Sequence, residues 1–236
     1  MRRSLEVCLT HELLPLYSIE GKTVVVVDIL RATSVMVTAL AEGVESITPV
    51  ASTDECKILQ EQGYLAAAER SGDLVPGFDL GNSPLNFVNN DYSGRKLAMT
   101  TTNGTLAITR SIKASEVLIG AFLNISALTN YLKNSQRDLL ILCAGWKGKV
   151  SYEDTLFAGA LASNLLEDYH TDCDSAQIAM DQYNQVSSNL LAAIQKSAHY
   201  SRLIKLDIKE DFKFCTTRDL YDIVPKLFGK ELKSVS

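Results

Sequence analysis

The 236-residue chain carries 28 acidic against 23 basic side chains, a net charge of −5, with 46% hydrophobic residues. The acidic balance argues against nucleic acid as the main partner, because phosphate backbones need a basic face, and the hydrophobic content suffices for one large core. No apolar run nears the about 20 residues of a membrane span, and the opening MRRSLEVCLTHELL lacks the apolar stretch of a secretory leader.

Taken in chain order, strand-like and helix-like segments alternate. The run TVVVVD at 23–28 reads as a strand buried on both faces. Residues 33–42 read as a helix stopped by Gly43, 46–50 as a strand, and 53–62 as a helix closed by Gly63. A short small-residue strand at 65–68 precedes a polar Gly- and Pro-rich loop from 69 to 84, too long for a mere connector. A short helix near 83–90, a strand at 96–100, a helix at 103–110 and a strand at 116–119 follow. Then come a helix at 125–133, a strand at 138–143, a Gly-rich loop at 144–150 and a long helix over 152–169. The last third reads as helical to about residue 203 and closes with a short segment near 212–215. Repeated strand–helix units predict an α/β fold, with a mainly parallel or mixed central sheet flanked by helices. One compact body spanning 1–236 is expected, with room for two closely packed subdomains. In such folds ligands collect at the carboxyl ends of strands, which directs attention to the loops after Val27, Ala68, Thr100 and Cys143.

Those loops hold the unusual residues. The first, DILRATS, places Asp28 at a strand end, where it can hold a metal, and Arg31 as a planar fork for oxyanions. Thr33 and Ser34 cap the next helix, whose N-terminus attracts anions; turn, cap and surface-pair roles explain the same residues equally well. The second carries Glu69 and Arg70, then GFDLGNSP with Asn82. Ser83-Pro84 is an ordinary helix start, but that reading leaves Glu69 and Arg70 unexplained. In the third, TTTNGT, the donors of Thr102, Asn103 and Gly104 form a cradle at a helix entry. The fourth, CAGWKGKVSYED, offers Gly145 and Lys147, then Glu153 and Asp154 in the first turn of a long helix, where acids also serve the helix dipole.

Common phosphate motifs fail. Gly148-Lys149 is followed by Val150, so no P-loop forms, and no Gly-x-Gly-x-x-Gly occurs. Cys143 and Lys149 are a near miss of a Cys-x5-Arg loop without its arginine, and Leu30 stands where an Asp-x-Asp pair needs its second acid. Cys8, Cys56, Cys143, Cys173 and Cys215 are odd in number and form no Cys-x-x-Cys pair. They read as reduced core thiols of a cytoplasmic protein. His11, His170 and His199 are too scattered to suggest a His-rich metal site.

The blocks VVVDILRATS, ERSG with GFDLGNSP, TTNGT and CAGWKGKVSYED, ending with RLIKLDIKEDFKFC, resemble in order and spacing the signature blocks of the 2-phosphosulfolactate phosphatase family. The resemblance covers nearly the whole chain. It implies a magnesium-dependent hydrolase that converts phosphosulfolactate to sulfolactate and phosphate, a step toward coenzyme M, on an architecture distinct from common phosphatase folds. Mg²⁺ prefers carboxylates and water. The expected ligands are therefore Asp28 first, then Glu69, with Glu153 or Asp154 helping through water. Asp28, Arg31 and Glu69 are the expected catalytic set, Asp28 being the one nominated nucleophile. Arg70, Thr33, Ser34, Asn82, Thr102, Asn103, Gly104, Gly145 and Lys147 are the expected substrate contacts. A phosphatase for another small phosphorylated acid and a non-catalytic anion-binding module are the competing readings. The acids clustered at strand ends favour catalysis over mere binding. The expected partners are a small anionic phosphate ester and, by base rate, a second copy of the chain; neither nucleic acid nor membrane is expected.

Overall fold

The apolar run at 23–27 is buried at every position, as a strand between two others must be. A computed structural model describes residues 2–70, 73–88, 90–204 and 209–235, and the side chains of Arg70, Asp73, Leu74 and Leu203 lie outside the described part. The strands in chain order are β1 (Arg3–Cys8), β2 (Thr23–Val27), β3 (Ser46–Pro49), β4 (Leu65–Arg70), β5 (Asp73–Leu74) and β6 (Lys96–Thr100). They continue with β7 (Glu116–Gly120), β8 (Leu139–Cys143), β9 (Tyr169–His170), β10 (Val224–Phe228) and β11 (Glu231–Val235). Flanking them are the helices α1 (Ala32–Ala41), α2 (Thr53–Glu61), α3 (Gly104–Arg110), α4 (Ile125–Lys133) and α5 (Tyr152–Leu165). The C-terminal part adds α6 (Asp174–Val186), α7 (Leu190–Ile194), α8 (Ala198–Leu203) and α9 (Lys209–Cys215). This is the expected α/β class.

The described strands form one mixed sheet in the order β5-β4-β6-β3-β11-β10-β7-β2-β8-β1-β9. Two parallel blocks, β4-β6-β3 and β7-β2-β8-β1, are joined by the antiparallel hairpin β10-β11. The hairpin meets its neighbours at Lys226–Leu118 and Leu232–Ile47. Crossing it reverses strand direction, so β2 and β4 run in opposite senses along the ladder. Adjacent strands twist by about 20–25°, so the six steps between β2 and β4 accumulate roughly 120–150°. Such a rotation offsets much of the reversal, and Asp28 after β2 and Glu69 of β4 line one pocket. A contiguous hydrophobic core runs through both blocks, including Val25, Ile47, Leu97, Leu118, Ile141 and Leu232.

Several sequence expectations need correction. The long helix expected at 152–169 stops at Leu165, and Tyr169–His170 leaves it to pair with Arg3–Ser4 of β1, itself a strand the pattern did not reveal. The helix expected at 83–90 shrinks to the 3-10 turn Pro84–Asn86. The loop from 69 to 84 folds back on β4, through β5 and through a Leu80 contact with Ala67. The tail beyond 215 holds the sheet-joining hairpin, closed by Gly229 at φ +61°. Among the described residues no helix is long and apolar enough to cross a membrane, and the cysteines are free thiols.

Candidate active site

Val27 of β2 pairs with both Gly120 and Cys143, and Ala144 donates its N–H to the Val27 carbonyl at 2.7 Å. Asp28 therefore leaves the sheet between two flush strand ends. The turn that follows is closed by its own groups. Thr33 Oγ1 accepts the Asp28 N–H at 3.0 Å, the Thr33 N–H donates to the Asp28 carbonyl at 2.9 Å, and the Ser34 hydroxyl donates to the Ile29 carbonyl at 2.9 Å. Asp28 Oδ1 lies 3.4 Å from the Ala32 N–H, at the N-terminus of α1. A Cβ on Gly104 would come within 2.7 Å of Asp28 Oδ2 and 2.5 Å of the Ala32 methyl, so only glycine admits α3 this close.

Asp28, Arg31, Glu69 and Asn82 line one pocket with Asn103 and Gly145, which closes the expected rim from both sheet blocks. Leu30, Trp146 and His199 complete its wall. Trp146 and His199 pack ring against ring, 5.2 Å between centroids and 34° between planes. Arg202 lies 4.8 Å from the Trp146 ring centroid and Lys147 5.4 Å from it. Lys147 itself is exposed, with φ at +49°, and its N–H reaches Asn103 Oδ1 at 3.4 Å.

Electrostatically the site is a buried acid cluster. Burial pushes Asp28 up to about 6 from 3.8; the His199 charge opposes the shift, and Glu69 and Glu153 add to it. Burial and the charges of Glu153 and Asp28 hold Asp154 well above the usual carboxylate range. Burial also opposes ionisation of Glu153, but the hydrogen bond and charge of His199 prevail and hold it below its ordinary value. Arg31 is 4% exposed and ion-paired with Asp211 of α9, whose other oxygen accepts the Ser83 hydroxyl at 2.8 Å.

The expected residues thus separate by what they touch. Asp154 accepts backbone N–H groups from Ile29 at 2.9 Å and Gly145 at 3.1 Å, fastening two site loops together. Glu153 Oε1 meets Ser151 Oγ at 2.8 Å and His199 Nδ1 at 2.5 Å, while its buried Oε2 has no hydrogen-bond partner among the described residues. Thr33 and Ser34 spend their hydroxyls inside the first turn. The buried Thr102 Oγ1 and Asn82 Oδ1 likewise have no partner among the described residues, and Asn82 lines the pocket. The Arg70 side chain lies outside the described residues. Sequence reasoning missed His199, Trp146 and Asp211. Trp146 is the chain's single tryptophan in a glycine-rich loop, which was a usable signal.

A larger cavity of about 860 Å³ opens around Glu116, at the amino end of β7. Its acid already binds Lys226 at 2.7 Å, Tyr131 at 2.7 Å and Thr23 at 2.9 Å. The volume is greater, but the clustered acids at strand ends are not there.

The family model described as 2-phosphosulpholactate phosphatase matches residues 8–230. A relative from Thermotoga petrophila named "Probable 2-phosphosulfolactate phosphatase" is 42% identical over 214 residues, covering 90% of this chain and 92% of its own length. One of the same name from Caldanaerobacter subterraneus is 41% identical over 215 residues, 89% of each chain. Another from Synechocystis is 39% identical over 225 residues, 92% of this chain and 93% of its own.

Proposed function

The chain belongs to the 2-phosphosulfolactate phosphatase family of phosphoric monoester hydrolases, and from that premise we propose that it hydrolyses 2-phospho-3-sulfolactate to 3-sulfolactate and phosphate with the help of Mg²⁺. The observation that carries the reading is the pocket that joins Asp28, Glu69 and Asn82 to Arg31 across two sheet blocks.

The donor set suits Mg²⁺. Among the described residues no three His, Cys, Asp or Glu side chains gather as a metal cage. Mg²⁺ commonly takes one or two carboxylates and fills its remaining positions with water and substrate phosphate. Asp28 and Glu69 would supply those carboxylates, and the unpartnered Asn82 Oδ1 a neutral oxygen; hard oxygens and no thiolate favour this ion. Bound there, Mg²⁺ would neutralise charge on the phosphoryl oxygens. Arg31, oriented by Asp211, would grip the same oxygens through its fork. The N-terminus of α1 and the Asn103–Gly104 entry to α3 would present backbone dipoles to the anion. Trp146 and the His199 ring would shield the reacting group from bulk water.

The substrate's three anionic groups need more than a metal. Arg31 in the pocket, with Arg202 and Lys147 beside Trp146, is the cationic set that would meet them. A lost charge-assisted contact costs roughly 1.5–3 kcal/mol. 2-Phospholactate, which lacks the sulfonate, is therefore expected to show kcat/KM at least about tenfold below that of 2-phosphosulfolactate. Steady-state phosphate release from both substrates checks this. Equal kcat/KM for the two would replace the sulfonate reading with a phosphatase for another small phosphorylated acid.

A further inference from the structure

We propose that His199 is the general acid that protonates the departing alkoxide, and that Glu153 is the residue that positions it. The proposal rests on the phosphatase reading above. His199 is 8% exposed and lines the same pocket as Asp28. Its Nδ1 is bound to Glu153 Oε1, and Glu153 is fully buried and held in turn by the Ser151 hydroxyl. The Glu153 carboxylate on Nδ1 fixes the orientation of the ring within the pocket wall. The other ring nitrogen is left for the pocket. The ring plane is fixed by Trp146 on one side, and the backbone by the Ser197 cap, whose Oγ accepts the Tyr200 N–H at 3.0 Å.

The chemistry calls for such a group. The alkoxide of a 2-hydroxy acid is a poor leaving group, and in water its expulsion from a phosphate monoester is slow. As the bridging P–O bond breaks, its electron pair stays on the alkoxide oxygen. That oxygen takes the proton from the ring nitrogen that faces the pocket. Water supplies the oxygen that ends on phosphorus, and the proton it sheds restores the imidazolium. Ester and water thus become alcohol and phosphate with the histidine unchanged. The opposing role is a structural ion pair that merely pins α8 to α5, and such a pair would make no distinction between leaving groups.

Leaving-group chemistry separates the two roles. A nitrophenolate departs without a proton, whereas the alkoxide of 2-phospholactate does not. In the unmodified protein with Mg²⁺, kcat/KM over substituted phenyl phosphates of graded leaving-group acidity is expected to vary only shallowly. His199→Asn is expected to slow 2-phospholactate by about a hundredfold or more, at least ten times the slowing seen with p-nitrophenyl phosphate, and to steepen the phenyl series. Equal slowing of both substrates by a variant with wild-type thermal unfolding, or no slowing of either, overturns the proposal. If the variant does not fold, the unmodified protein still decides: a steep dependence on leaving-group acidity overturns the proposal and a shallow one supports it. A phosphatase that passes the Mg²⁺ and substrate tests but fails these keeps its function and loses only this role for His199.

Discussion

Asp28→Asn is expected to lower kcat on phosphate monoesters by about a hundredfold or more, the scale on which removal of a preorganised charged group acts. The residue stands where β2 ends between two strands, on the pocket wall, with α1 beginning four residues on. Asn keeps the shape and one acceptor and loses the charge. The same change should stabilise the metal-free fold at alkaline pH. Burial raises Asp28 to about 6, and a carboxyl raised on folding leaves the fold most stable below its unfolded value near 4. That stability is lost as pH climbs through about 6. In EDTA at pH 8 the Asn variant should therefore be more stable than wild type by about 3 kcal/mol, and at pH 4 the two should converge. Urea unfolding at both pH values reads this. A variant that is inactive because it is unfolded would show the opposite sign.

Asp211→Ala should be the most damaging substitution for stability in the site region. Arg31 and Asp211 are each about 5% exposed at the side chain, and Asp211 also accepts the Ser83 hydroxyl. One carboxylate thus ties α9 to the Asp28 loop and to the loop before Pro84. Removing one partner of a buried pair leaves the other charge in a poorly solvating place, at about 3 kcal/mol or more. A drop of that size in the urea-unfolding free energy is expected, together with a fall in kcat/KM because Arg31 loses its orientation. Asp211→Asn, which keeps the Ser83 contact, should lose less. An Ala variant as stable as wild type would show that the pair is not a clamp.

What could be read from the sequence follows from how local each signal is. The Val24–Val27 run could only be a strand buried on both faces, and its end fixes Asp28. Parallel strands present their carboxyl ends together, so Arg31, Glu69, Asn82, Asn103 and Gly145 could each be singled out from the loop it occupies, and they meet in one pocket. The hairpin of β10 and β11 was hidden because Pro225 argues against an interior strand, and its partners lie more than a hundred residues earlier. Without it, nothing in the pattern says that the two blocks run in opposite senses. His199 and Asp211 escaped for another reason. Each reaches the site from a C-terminal helix, across 46 residues to Glu153 and 180 to Arg31; no motif surrounds His199, and the block that holds Asp211 gives no sign of its buried partner. Glu153 and Asp154 were legible as first-turn acids of α5, but their partners, a histidine and two loop amides, exist only once the chain is folded.

The most direct test of the account is phosphate release from 2-phosphosulfolactate by the purified chain, measured with Mg²⁺, after EDTA, and after Mg²⁺ is restored. The oxygen-rich pocket around Asp28, Glu69 and Asn82 predicts turnover with the metal, its loss on chelation and its full return on addition. Undiminished turnover in EDTA would contradict it.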